Sequence, residues 1–187
     1  KTLTREEVGA IRDAGFTTIL DLRTPTETIK YPHALDGEPG FTYYNKNFDN
    51  YLRADFYGPE ETATYYHMLL RYFDNVRAIF TLIAECEGGL IFNCYAGKDR
   101  TGTVAALLLM LAGVPDNEIA EDYHLTIKGL WPGVEEEKLR KYALIPHTES
   151  MKIFLDMFHE KYTDVDNYFK LVGLPVSSLE RIRAKLT

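Results

Sequence analysis

An apolar run that stops at a cysteine, followed by a short loop and then a helical pattern, constrains this chain more than any other stretch. It reads Leu90-Ile91-Phe92-Asn93-Cys94-Tyr95-Ala96-Gly97-Lys98-Asp99-Arg100-Thr101-Gly102. Such a pattern is a strand, a loop and a helix N-terminus. Five residues separate Cys94 from Arg100, enough to curl successive backbone N–H groups inward and make a concave anion site at the mouth of the helix. A cradle of that kind fits a phosphate, with Tyr95, Ala96, Gly97, Lys98 and Thr101 as the residues that line it. A thiol in this position feels the positive end of the helix dipole, the N–H donors of the loop and a guanidinium, all of which favour thiolate. Cys94 is therefore expected to be a nucleophile at neutral pH. The planar fork of Arg100 can hold two phosphate oxygens at once, which a lysine could not. Thr101 is expected to hydrogen-bond the thiolate.

The bland alternative is a buried cysteine that ends a core strand, with Lys98, Asp99 and Arg100 as solvated charges. Cys, Gly, Arg and Thr together at these offsets weigh against it. A nucleotide-binding Walker loop fails outright, because it needs Gly where Phe92 stands and Ser or Thr where Asp99 stands.

The run Cys94 to Gly102 resembles the signature loop of the cysteine-dependent protein tyrosine phosphatases. Its Ala-Gly-Lys-Asp-Arg-Thr-Gly portion is similar to a bacterial-type branch of tyrosine and lipid phosphatases, and phosphoinositide phosphatases share the Ala-Gly-Lys portion. One departure is Asn93, where the family usually has histidine; an amide still has a donor for neighbouring backbone. A second block, Asp21-Leu22-Arg23 with Glu27, matches the same branch, as does the ending from Tyr168-Phe169-Lys170-Leu171-Val172-Gly173 onward, so the resemblance covers both halves of the chain. It implies a metal-independent, cofactor-free phosphomonoesterase acting through a cysteinyl-phosphate, with phosphotyrosine as the first-choice substrate. Lys98 keeps phosphoinositides and inositol phosphates in play. For the general acid the branch points to Asp99, and Asp49 and Asp55 are the alternatives on the loop before the long helix. Asp21 and Arg23 read either as a local ion pair or as support for the phosphate loop. Trp131-Pro132-Gly133 imitates the acid loop of the larger phosphatases but carries Gly in place of Asp, and it follows the Cys94 loop instead of preceding it. Two rivals stand lower: a catalytically dead phosphate-binding module, for which Asn93 is the only support, and an arsenate reductase, whose loop would follow the first strand.

The chain has 187 residues, 45% of them hydrophobic, which suits one domain over residues 1–187 with a proper core. Strands expected at 17–22, 41–44 and 90–93, interleaved with helices, predict an α/β fold with a small, mainly parallel central sheet flanked by helices and the site at the carboxyl end of the last strand. Twenty-one basic against 28 acidic residues give a net charge of −7. That balance argues against nucleic acid or a bulk anionic membrane as partner and leaves a phosphorylated protein or a phosphoinositide, met by a monomer. Two cysteines, Cys86 and Cys94, make no disulfide framework and point to reducing surroundings, the cytoplasm ahead of a secreted effector. Cys86 would resolve an oxidised Cys94 only if the two sulfurs came within disulfide reach. No run approaches the roughly 18 to 20 apolar residues of a membrane span. No cleavable signal opens the chain, yet it begins at Lys1, so localisation stays open.

Along the chain, Thr4 and Glu7 form a capping box and Gly15 closes the first helix. Residues 24–40 read as a turn-rich loop. A helical pattern runs from Pro59 to Glu87, with a break expected near Asp74-Asn75, and Tyr65, Leu69, Tyr72, Phe73 and Val76 in its core-facing stripe. Thr103 to Leu111 is apolar on nearly every side, so it is expected as a buried helix. Helices follow at about 117–124, from Thr148 to Tyr162 and from Asp164 to Val172, with Ser177 and Glu180 as the capping box of the last. The five histidines show no metal-ligand spacing.

Overall fold

A computed structural model describes residues 3–49, 58–135 and 148–186. The order is α1 (Arg5–Asp13), β1 (Phe16–Asp21), α2 (Pro25–Lys30), β2 (Thr42–Asn45), α3 (Pro59–Leu69), α4 (Phe73–Glu85), β3 (Gly89–Asn93), α5 (Asp99–Leu111), α6 (Asp116–His124), α7 (Thr126–Leu130), α8 (Thr148–Tyr162), α9 (Val165–Val172) and α10 (Val176–Leu186). The three strands form one parallel sheet in the order β2-β1-β3, so the fold is α/β with helices flanking a small sheet. Central β1 has Ile19, Leu20 and Asp21 fully buried, as a strand covered on both faces must be. Edge strand β2 instead alternates exposed Thr42 and Tyr44 with half-buried Tyr43 and Asn45.

The register puts Asp21 between Asn45 and Asn93 at the carboxyl edge of the sheet. The chain leaves that edge toward the site from every strand. Entry to β3 depends on Gly88 and Gly89. Gly88 takes a φ of 70°, and a Cβ on Gly89 would stand 2.6 Å from the Phe16 ring, so neither position admits a side chain.

Some helix ends follow the capping chemistry of their sequence. The box of Thr4 and Glu7 forms, Asp164 caps α9, and Gly173 closes it in the left-handed region. Three expectations are corrected. The 24–40 connection holds the short helix α2, because Thr24 and Glu27 make a second capping box with Pro25 in the first turn. The long helical pattern breaks at Leu70-Tyr72 and not at Asp74-Asn75, with α3 ending at Leu69 and α4 beginning at Phe73. Tighter bonds from Arg71 to Met68 and from Tyr72 to Leu69 turn the chain there. The last helix opens at Val176, where the Pro175 carbonyl accepts from Ser178 and Leu179, which leaves Ser177 inside the first turn instead of at its cap.

The core is aromatic. Tyr66, Phe80, Phe154, Phe158, Tyr168 and Phe169 are at most 1% exposed and pack in one cluster with the apolar side of α5. In α5, Thr103, Val104, Ala106, Leu107, Leu108 and Leu111 are buried, so the helix that carries the loop is held on most sides. Each such residue resists displacement, since shifting a close-packed side chain opens a void or forces a clash. Trp131 of the Trp-Pro-Gly segment packs on Ile127 in a separate small cluster. Among the described residues no helix is long and apolar enough to cross a membrane.

Candidate active site

Cys94 follows the last residue of β3 and is 7% exposed. Residues 95–98 turn without regular structure, Gly97 takes a φ of 70°, and α5 begins at Asp99. Tyr95, Ala96 and Gly97 are exposed, whereas Lys98 and Arg100 are buried. The sequence-predicted nucleophile, loop and arginine therefore lie together at the carboxyl edge of the sheet and the N-terminus of a buried helix. The amide of Asn93 donates from Nδ2 to the Cys94 carbonyl at 3.2 Å, which is the neighbouring-backbone bond expected of it.

Arg100 is clamped from across the chain. Its Nη1 and Nη2 donate to Oε2 and Oε1 of Glu27 at 2.7 and 2.9 Å, and Asp49 Oδ2 lies 3.3 Å from Nη1. Glu27 Oε2 also accepts the N–H of Thr24 at 2.8 Å, so the capping box that starts α2 aims this carboxylate at the guanidinium. Hydrogen bonding to Arg100 chiefly, with the Thr24 N–H adding to it against the effect of burial, holds the Glu27 carboxyl at about 2. Burial works against the Arg100 charge, but Glu27 and the nearby Cys94 raise its pKa above the ordinary arginine value.

Asp99 is held by different partners. Its Oδ1 accepts from Lys98 Nζ at 2.5 Å and from Tyr66 Oη at 2.7 Å, and Tyr66 Oη shares a 2.5 Å bond with Tyr123 Oη. Burial first, then neighbouring Tyr123 and Asp99, push the Tyr66 phenol well up, so the phenol stays a donor. Tyr65, also buried, has its phenol raised by burial and then by Asp49, Asp99 and Cys94 against the pull of Arg100, which places it within electrostatic range of all four.

Thr101 departs from expectation. Its Oγ1 is buried and makes no hydrogen bond to a described residue, the Cys94 sulfur included. It lines a cavity of about 120 Å³ with Gly97, Gly102, Ala105, Tyr123 and Met151, on the side of α5 that faces α6. Asp49 is in the site, and Asp55 lies outside the described residues. Cys86 is half-buried at the end of α4, and the five residues of β3 part it from Cys94. A strand of that length spans roughly 13–16 Å, beyond the about 7 Å Cα limit of a disulfide, which weighs against Cys86 as a resolving cysteine.

Asp21 and Arg23 settle as a buried ion pair. Arg23 Nη2 and Nε contact the carboxylate at 2.6 to 3.0 Å, and Tyr43 Oη adds a bond at 2.9 Å. Burial raises the Asp21 pKa, but these donors outweigh it and leave the group below the ordinary value.

Sequence reasoning missed the Tyr65, Tyr66 and Tyr123 contributions, since tyrosines at helical spacing read as core, and core is also what they are. The Glu27 clamp had a visible signal in Thr24-Pro25-Thr26-Glu27, a capping box with proline at the first helical position. The sequence matches the tyrosine phosphatase family over residues 1–187. It is also similar to a tyrosine-protein phosphatase of Nostoc commune, at 26% identity over 211 aligned positions that cover 98% of this chain and 70% of that protein. With the match spanning its whole length, the chain belongs to the tyrosine phosphatase family and is a phosphatase.

Proposed function

We propose that residues 1–187 form a single catalytic domain that hydrolyses phosphotyrosine in proteins through a cysteinyl-phosphate, without metal or cofactor. The observation that carries this reading is the guanidinium of Arg100, buried and fixed by Glu27 at the helix N-terminus beside Cys94. A guanidinium so placed binds the phosphoryl oxygens while the Cys94 sulfur attacks phosphorus. The S–P bond forms as the P–O bond to tyrosine breaks, and the departing phenolate takes a proton from a general acid. Water then attacks phosphorus, gives its proton back to the same group, and the sulfur leaves with the S–P electron pair. Asp99 is our first choice for that acid: its side-chain hydrogen bonds, from Tyr66 and Lys98, both fall on Oδ1, which leaves Oδ2 to carry the proton. Asp49, against Arg100, is the alternative. Ala96 and Gly97 contribute backbone to the phosphate cradle.

Phosphotyrosine ranks above a phosphoinositide because of Lys98. Its side chain is 9% exposed and its ammonium is paired with Asp99 at 2.5 Å, so the cation that would receive a second phosphate is already engaged. The decisive experiment measures hydrolysis of phosphotyrosine peptides, phosphoserine peptides and phosphoinositides in EDTA, alongside Cys94→Ser. Turnover of phosphotyrosine that survives EDTA and vanishes in Cys94→Ser is expected. Full turnover by Cys94→Ser would sink the mechanism, and a preference for phosphoinositides would reverse the substrate ranking. Hydrolysis of p-nitrophenyl phosphate also separates the enzyme from a dead phosphate-binding module.

A further inference from the structure

We infer that Tyr31 is a specificity-determining residue: with Tyr95 it forms an aromatic lip beside Cys94 that favours aryl over alkyl phosphate esters. This rests on the phosphatase reading above and adds a residue to it. Tyr95 is the residue after the nucleophile and is 58% exposed, and Tyr31, 64 positions earlier, is 44% exposed. Their ring centroids lie 5.7 Å apart at an interplanar angle of 66°, the edge-to-face geometry in which one ring's positive edge meets the other's negative face. Two large rings left partly in water at the rim of a phosphate loop offer a third ring the same kind of contact. A serine ester has no ring to place there.

The lip is held rigidly although its side chains are exposed. Arg23 Nη1 donates to the Tyr31 carbonyl at 2.9 Å, while its other donors grip Asp21 within the buried end of β1. The opposite end of α2 is fixed by Glu27 on Arg100. Helix α2 is thus tied at both ends, once to the arginine that binds phosphate and once to the sheet, and the backbone of Tyr31 keeps a set position relative to Arg100. This gives the Asp21-Arg23 pair a role at the site through the backbone of Tyr31. Lys30 Nζ lies 5.3 Å from the Tyr31 ring centroid, adding one cation to the lip.

The test is binding to the Cys94→Ser protein, with phenyl phosphate and inorganic phosphate as probes, and turnover of phosphotyrosine against phosphoserine peptides by the active enzyme. Tyr31→Ala is expected to raise the ratio of Kd for phenyl phosphate to Kd for inorganic phosphate about three- to tenfold, the worth of one aromatic pair. It should lower the ratio of kcat/KM for phosphotyrosine to that for phosphoserine by a similar factor. Tyr31→Phe, which keeps the ring, should hold both ratios at the wild-type value. Unchanged ratios in Tyr31→Ala, or equal shifts in Tyr31→Phe, overturn the inference. If phosphate esters are cleaved and the ratios do not move, the inference alone falls; if no ester is cleaved, the phosphatase mechanism falls with it.

Discussion

Glu27→Gln is the perturbation that the structure allows to be worked through in numbers. The carboxyl sits at about 2 in the folded protein against an ordinary value of 4.5, a difference of 2.5, and a tenfold change in proton affinity is worth about 1.4 kcal/mol of differential interaction. The ceiling is therefore about 3 kcal/mol. The side chain is 16% exposed, so screening by water lowers a realistic figure to about 2 kcal/mol. Because the folded pKa is depressed, this stabilisation is fully present above about 4.5 and is lost as pH falls through about 2. Glutamine keeps the shape and can still accept, but it carries no charge. Glu27→Gln is expected to lower stability at pH 7 by about 2 kcal/mol, a Tm drop of about 4–8 °C for a chain of this size. The gap to wild type should shrink to under half by pH 3. Urea unfolding of both proteins at pH 7, 4.5 and 3 measures it, and taking the difference removes the other acids that titrate in the same window. A gap that is absent at pH 7, or that stays constant down to pH 3, would refute the claim that Glu27 acts as the ionised partner of Arg100.

Asp99→Asn and Asp49→Asn, compared on aryl phosphates of rising leaving-group pKa, identify the general acid: loss of the true donor costs about a hundred- to ten-thousandfold on poor leaving groups and little on good ones. If Asp99→Asn slows all substrates equally, Asp99 shapes the loop through Lys98 and Tyr66, and the donor is to be sought in Asp49 or Asp55. Gly102→Ala is expected to destabilise although alanine is ordinarily the better helix former by about 1 kcal/mol. A Cβ there would stand 2.8 and 2.9 Å from ring carbons of Tyr123, a buried ring whose hydroxyl is tied to Tyr66, so the ring can yield only by straining that bond. A net loss of about 1–3 kcal/mol is expected from such overpacking, and a higher Tm in calorimetry would contradict it.

The elements most legible in the sequence were those whose signals are local. Thr4 with Glu7, the Gly15 that closes α1, and the helix that starts from Asp164 each announce themselves within a few residues, and each is found where it was read. The loop from Cys94 to Arg100 belongs to the same class, because its geometry follows from contiguous chain that leaves a strand and enters a helix. Where two local signals competed, the reading slipped. Pro175 opens α10 ahead of the Ser177 box, and the tighter bonds from Arg71 to Met68 and from Tyr72 to Leu69 place the α3–α4 break before the polar Asp74-Asn75 pair that suggested one.

What stayed hidden is what forms only when distant segments meet. Glu27 and Arg100 are 73 positions apart, and nothing in either neighbourhood states that one capping carboxylate serves two donors, the Thr24 N–H and a guanidinium. Tyr66 reaches Asp99 over 33 positions, and a tyrosine at helical spacing looks the same in sequence whether its hydroxyl is idle or bonded to a loop acid. The difference is energetic: a buried phenol without a partner would cost about 1–3 kcal/mol, so burial of Tyr66 requires a partner without saying which. Here the partners are Asp99 and Tyr123, and the requirement to satisfy a core hydroxyl ends up fixing the orientation of an acid in the phosphate loop. The same logic holds for Arg23, whose five donors had to be met once it was buried at the sheet edge. Asp21 accepts from Nε and Nη2, and Nη1 reaches the Tyr31 carbonyl, so that satisfying a buried charge also sets the rim of the site.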